Sequence, residues 1–297
     1  MGNNKVKRFS KFNIFDVLLY TVFILLSISF IYPIWYCLIT ALSSGKAIGL
    51  RLPLILPADP TLEVFKTVFE GDNIPRFYLN SIFYAVGGTF ISLALTSLMA
   101  YPFIISDFKG KKVLNVFLTI TMFFSGGLLP YYFLINSIGW RNSVWVMLVP
   151  GAVSAFNVIV FRTFFKSIPS SLLDSAYIDG AGHYRTLLQI IIPVSKPLLA
   201  TFALFGLVGK WNDWFTPYLF FTKDYLQPIQ IYLKETLASV TVAMSDRYAV
   251  LRYQTFNVVE LNLKCAIVII TITPILCVYP FLQKYFTSGM MVGSIKA

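Results

Sequence analysis

The chain has 297 residues, of which 57% are hydrophobic and 17% aromatic but only 12% charged, whereas soluble domains carry about a quarter charged residues. With a mean hydropathy of +0.72, this composition excludes an ordinary soluble globular domain. The net charge of +11 does not mark a nucleic-acid binder, because most of the imbalance lies at the margins of apolar runs, where anionic lipid is the ordinary partner.

A helix needs about 20 apolar residues to cross a hydrocarbon core of about 30 Å, and in lipid it must satisfy its own backbone groups. The first such run covers residues 14–42 and is too long for a signal peptide, with no small-residue cleavage pattern after it, so it is expected to remain as a helix. A polar stretch with Pro53, Pro57, Asp59, Pro60 and Pro75 follows and reads as a sizeable loop. The second run is 77–105. The third (113–135) and fourth (144–165) flank a short turn at 136–142, the fifth (198–221) follows a long polar segment, and the sixth is 261–284. The sequence therefore predicts an all-α integral membrane protein with six transmembrane helices.

Basic residues fix the orientation. Lys5, Lys7, Arg8 and Lys11, then Lys109, Lys111 and Lys112, then Arg162, Lys166, Arg185 and Lys196, and finally Lys284 and Lys296 all fall on one side. Basic residues of the opposite loops are largely offset by Asp59, Glu63, Glu70, Asp72, Asp224, Glu235, Asp246 and Glu260. Both termini are expected in the cytoplasm, with the chain a multi-pass protein of the cytoplasmic membrane.

Chemistry is sparse. Cys37, Cys265 and Cys277 fall inside the spans with no metal-type spacing and read as small buried hydrophobes. The sole histidine, His183, cannot build a zinc site alone. No glycine stands at phosphate-loop spacing before Gly45-Lys46, Gly110-Lys111 or Gly209-Lys210. The chain is expected to be no enzyme, to hold no cofactor or metal, and to bind no nucleic acid.

The most informative segment lies between the fourth and fifth runs. Pro169 suits a first helical position, Leu172, Leu173, Ala176 and Tyr177 recur at helical spacing, and Asp179-Gly180 ends the helix at a residue that tolerates a left-handed backbone. A second short helix over 182–192 is expected to stop at Pro193 and Pro197. The physical reading is a helix-turn-helix at the membrane surface, for which an interfacial hairpin with no partner is the plain alternative.

The run DSAYIDGAGHYRTLLQIIIPVSKP resembles the EAA loop of ABC importer permeases. Ala176, Asp179, Gly180, Ala181, Ile190, Pro193 and Pro197 match its pattern, whereas Asp174 replaces Glu, Ser175 replaces Ala and Leu187 replaces Phe. FYLNSIFYAVGGTFISLALTSLMAYPF, GKWNDWFTPYLFF and the ending YPFLQKYFTSGMMVGSIKA are similar to the maltose-type carbohydrate branch, and most like its LplC- and YtcP-like oligosaccharide subgroup.

That resemblance implies a type I ABC importer permease fold with a cytoplasmic coupling helix. Residues 77–284 would be the permease core, with the coupling loop at 169–197. Residues 1–76 would hold the amino-terminal segment, first span and extracellular loop, and 285–297 a cytoplasmic tail. It further implies a second permease subunit, two ATPase subunits that carry the ATP and Mg, an extracellular solute-binding protein and an oligosaccharide substrate. In such permeases Asp174, Ser175, Ala176, Asp179, Gly180, Ala181, His183, Pro193 and Pro197 would belong to the ATPase-coupling element, and Gly289, Gly293 and Lys296 would be a tail contact with the ATPase.

Lys210 and Asp213 stand three apart near the middle of the fifth run, with Trp211, Asn212 and Trp214 beside them. Ionisable groups at that depth cost several kcal/mol unless paired or wetted. Two readings stand: the five line the sugar path, or Lys210 and Asp213 form a structural pair against the partner permease. Aromatic residues here either stack on sugar or anchor the packing. Asn80 and Ser81 are expected to cap the second span. Gly126-Gly127 and Pro130 mark a break in the third. An ABC importer for a non-sugar solute and a secondary transporter are the alternative functions.

Overall fold

The computed structural model describes residues 14–50, 55–71, 74–105, 108–243 and 260–294. Among them the chain is almost wholly helical, with one isolated β-bridge between Ser43 and Pro60. It divides into two compact units, one built on the residues up to Gly71 with those of 260–270, the other on 74–239 with the residues from Thr271 onward.

In the first unit, α1 (Ile14–Ala41) is apolar all round and leaves Phe23, Leu25 and Phe30 exposed, as a span surrounded by lipid does. Its end is tied down by Ser43, whose hydroxyl donates to Ile39 O (2.6 Å) and accepts from Ala58 N (2.9 Å). A short α2 (Gly45–Leu50) follows. The stretch expected as loop contains α3 (Glu63–Gly71), which buries Val64 and Val68, four apart on one face. Four residues of periodicity inside a polar, proline-bearing stretch were too weak a sequence signal.

In the second unit, α4 (Ile74–Ala100) continues into a 3-10 turn, Tyr101–Ile104, where Pro102 ends regular α-helical bonding. Next come α5 (Lys111–Phe123) and α6 (Leu128–Ser137), bent by 115° across Gly126-Gly127, with Gly127 at φ 83°. The expected break in the third run is thus a sharp reversal of direction. The fourth run is also broken, into α7 (Trp145–Leu148) and α8 (Ala155–Ser167), around Pro150 and Gly151 at φ 70°. The segment between the fourth and fifth runs supplies α9 (Ser170–Ile178), α10 (His183–Thr186), a π turn at Leu187–Ile191, and α11 (Ile192–Val194).

The fifth run begins with α12 (Lys196–Trp211), bent by 81° from the stretch before it, and resumes as α13 (Phe215–Phe220). Then follow α14 (Ile229–Ala243) and α15 (Glu260–Ser294). Among the described residues three helical stretches, Ile14–Ala41, Ile74–Ile104 and Leu261–Val278, are long and apolar enough to cross a membrane, and up to five qualify if each bent pair is one span. The expectation of continuous fourth and fifth spans is therefore amended, while the break expected in the third lies at Gly126-Gly127. Apolar composition sets what faces lipid, and glycine and proline inside it decide where the helix stops.

The α4 helix packs chiefly on α12 and α8. Small residues permit the approach: a Cβ on Gly206 would stand 2.8 Å from Thr89 Oγ1. One apolar cluster gathers Tyr101, Phe103, Phe161, Phe165, Leu187 and Ile191. Another holds Tyr84, Ile135, Met147 and Phe220. Asn142, at φ 57°, clips the loop after α6 to the end of α13 by accepting from Thr222 N (2.7 Å) and donating to Thr222 Oγ1 (2.9 Å).

Candidate functional site

Two places carry the sequence-predicted residues, and the first is the helical hairpin of α9 and α10. Pro169 stands at the cap rather than at the first helical position, and α9 starts at Ser170. The helix closes on Gly180, at φ 75°, with Gly180 N donating to Tyr177 O (3.1 Å) and Ala181 N to Ala176 O (2.9 Å). This paired closure satisfies carbonyls that the helix end leaves open and needs a left-handed residue at that position. A Cβ on Gly180 would meet no atom within 4 Å, so only the backbone demands glycine.

Beyond the turn the chain is helical through Pro193 and breaks at Ser195, later than expected. Proline at 193 lacks the N–H that would bond Gln189 O, which accounts for the π turn just before it. Pro197 falls in the first turn of α12. Ala176, Leu187 and Ile191 are buried, while Asp174, Ser175, Asp179 and His183 are exposed. Large apolar side chains are also turned outward: Ile178 is 85% exposed, Tyr184 78% and Leu188 63%.

The second place is a cavity of about 490 Å³ between α4, α8 and α12. Polar atoms come from Thr89, Ser92, Thr96, Asn157, Lys210 and Asp213, with rings of Phe156 and Phe205 beside them. The hydroxyls of Thr89 and Thr96 are buried without a hydrogen-bond partner. Lys210 Nζ donates to Met147 O at 2.6 Å, a carbonyl near the end of α7 that the broken fourth run leaves open. Gly88 makes room for the lysine stem, because a Cβ there would lie 3.1 Å from Lys210 Cε.

Lys210 and Asp213 share the cavity but not one helix, since α12 ends at Trp211. Asp213 Oδ1 accepts from Thr216 N (3.0 Å) and so caps the start of α13. Trp211 is buried, donating to Thr271 O at 3.2 Å and packing against Tyr78. Asn212 accepts from Gln230 Nε2 (3.5 Å), and exposed Trp214 has the Lys234 ammonium 4.6 Å from its ring centre. The five residues are therefore not brought to one surface.

Asn80 and Ser81 lie inside α4 and do not cap it. Asn80 Nδ2 donates to Tyr225 O (2.9 Å) and Gln227 O (2.8 Å), and Ser81 Oγ accepts from Ile229 N (2.9 Å) at the start of α14. Gly289 and Gly293 fall in α15, and Lys296 lies outside the described residues. Thr89, Ser92, Thr96 and Asn157 were missed by the sequence reading. The available signal was a set of polar residues at helical spacing inside an apolar run.

A family model described as the binding-protein-dependent transport system inner membrane component matches residues 6–292. The chain belongs to that family. Among its relatives, protein LplC of Bacillus subtilis (strain 168) is 36% identical over 268 residues, covering 90% of this chain and 89% of LplC. The polygalacturonan/rhamnogalacturonan transport system permease protein YtcP of the same organism is 32% identical over 286 residues, covering 96% and 99%. A crystal structure of a bacterial ABC transporter involved in the import of the acidic polysaccharide alginate superposes with a TM-score of 0.86 at 28% identity, over 93% of this chain and 100% of that one. This inner membrane component thus shares its fold with an importer chain along almost its whole length.

Proposed function

We propose that this inner membrane component is one permease subunit of an ATP-driven oligosaccharide importer, and that the α9–α10 hairpin couples it to ATPase subunits. The observation that carries the reading is the hairpin itself. Six of the seven matched positions of the coupling-loop pattern fall on α9, the left-handed glycine turn and the helical stretch that runs on to Val194, and the seventh, Pro197, opens α12; Asp174, Ile178 and Tyr184 are presented outward. Apolar side chains exposed to that degree beside a carboxylate suit a protein partner.

The carbohydrate assignment is supported by the relatives, which are named for the transport of polygalacturonan/rhamnogalacturonan and the import of alginate. The cavity of Thr89, Thr96, Asn157, Lys210 and Asp213 is the proposed stretch of the sugar path, because unpaired hydroxyls, an amide and charged groups suit a hydroxyl-rich solute. Trp211 has a packing role, and Asn212 and Trp214 lie toward α14.

Partners in this reading are a second, homologous permease, two ATPase subunits that hold ATP and Mg, an extracellular solute-binding protein and membrane lipid. Both termini and the hairpin face the cytoplasm, and Gly289, Gly293 and Lys296 reach an ATPase subunit.

The test is the complete assembly in proteoliposomes, with ATP hydrolysis measured as binding proteins are exchanged. A binding protein loaded with an oligosaccharide is expected to stimulate hydrolysis. Stimulation by an amino-acid-loaded protein alone would reject the sugar assignment.

A further inference from the structure

His183 is the only histidine in the chain, and its Nδ1 lies 3.4 Å from the hydroxyl of Tyr101 and 3.4 Å from that of Tyr177. The two hydroxyls are 3.4 Å from each other. The imidazole meets both phenol rings edge-on, at centroid distances of 6.1 and 5.9 Å. The three groups come from three pieces of chain: the 3-10 turn that ends α4, the last turn of α9, and the first residue of α10. The left-handed turn at Gly180 is what brings His183 back beside Tyr177.

Beneath this triangle, Leu187 and Ile191 pack in one apolar cluster with Tyr101 and Phe103. Apolar packing of that kind resists separation but tolerates sliding, whereas polar contacts from three directions fix rotation and register. Tyr101 is only 5% exposed and Phe103 1%. The Arg162 guanidinium lies 5.5 Å from the centre of the Phe103 ring, holding the 3-10 turn from α8. The turn is thus gripped on one side by α8 and on the other by the hairpin, and α4 leads from it directly to Thr96 and Thr89 in the cavity wall.

We propose that His183 is a positioning residue which, with Tyr177, clasps the hairpin to Tyr101, so that movement of the hairpin is delivered to α4 and the cavity. The contacts sit at the long limit of hydrogen bonding, so any of the three can shorten as the hairpin shifts without a group being left stranded. This inference rests on the coupling role proposed above for the hairpin, and adds the receiving end inside the permease.

The experiment uses the full importer in proteoliposomes, reading sugar moved per ATP hydrolysed together with recovery of ATPase subunits on the captured permease. Tyr101→Phe removes one hydroxyl and keeps the ring in the core. His183→Phe keeps an aromatic edge without Nδ1, and His183→Asn returns a polar atom near the Nδ1 position. Tyr101→Phe and His183→Phe are each expected to retain ATPase subunits at the wild-type level and to lower the sugar-to-ATP ratio by at least about fivefold, the lower end of ordinary coupling between sites. The double variant should be no worse than the more affected single one, and His183→Asn should restore most of the ratio. A wild-type ratio in both single variants, or losses that multiply in the double variant, would overturn the clasp. Loss of ATPase subunits from His183→Phe would also overturn it, by making His183 a docking contact. Failure of the coupling role itself shows differently, as normal transport by variants of Asp174 and Gly180.

Discussion

Gly206 sets how closely two helices of the second unit approach. With Thr89 Oγ1 only 2.8 Å and Thr89 Cγ2 2.9 Å from where its Cβ would be, Gly206→Ala forces α4 and α12 apart. We expect overpacking to cost about 1–3 kcal/mol, seen as a lower unfolding temperature in detergent, with Thr89→Ala in the same chain recovering part of it. An unchanged temperature would mean that the helices are not held at this distance. Lys210 is a second test. Lys210→Met strips the donor from Met147 O and is expected to lose about 1–3 kcal/mol along with transport; full uptake would remove the residue from the sugar path. At this scale Gly180 was legible, because a helix end followed by Asp-Gly has a local backbone rule. Asn80 was not, because its acceptors Tyr225 and Gln227 lie 145 and 147 residues away.

The elements were legible to the extent that apolar runs mark them. Their interruptions were less so: Gly126-Gly127 stood out, while Pro150-Gly151 was passed over inside a run read as continuous, and the π turn before Pro193 follows from a missing N–H that composition does not reveal. α3 was hidden by flanking prolines. The direction of the elements through the bilayer is the prediction that belongs here. In a background lacking Cys37, Cys265 and Cys277, cysteines placed at Lys111 and Ser170 should react with a membrane-impermeant thiol reagent only after the cells are opened. Those at Glu63 and Arg141 should react in intact cells. Labelling at Ser170 in intact cells would place the hairpin on the wrong side for ATPase subunits.

For the whole molecule, the resemblance read from four segments foresaw a family relation that extends over residues 6–292. The relatives differ in the polysaccharide they are named for, and no residue of this chain specifies a particular sugar, since selectivity is expected to rest largely on the binding protein. Purified alone, the chain should hydrolyse no ATP; sustained hydrolysis by it would refute the division of labour proposed here. The most direct measurement is recovery of ATPase subunits on affinity-captured permease carrying Gly180→Val or Asp174→Ala, beside sugar uptake. At Gly180 a β-branched residue meets no steric neighbour but strains the φ 75° backbone by about 1–3 kcal/mol. At Asp174, loss of the carboxylate proposed to face a basic residue of the ATPase is expected to weaken docking by about 2–5 kcal/mol. Both variants should insert and assemble with the second permease yet shed ATPase subunits and lose uptake; full ATPase recovery with normal uptake in both would contradict the coupling role of the hairpin.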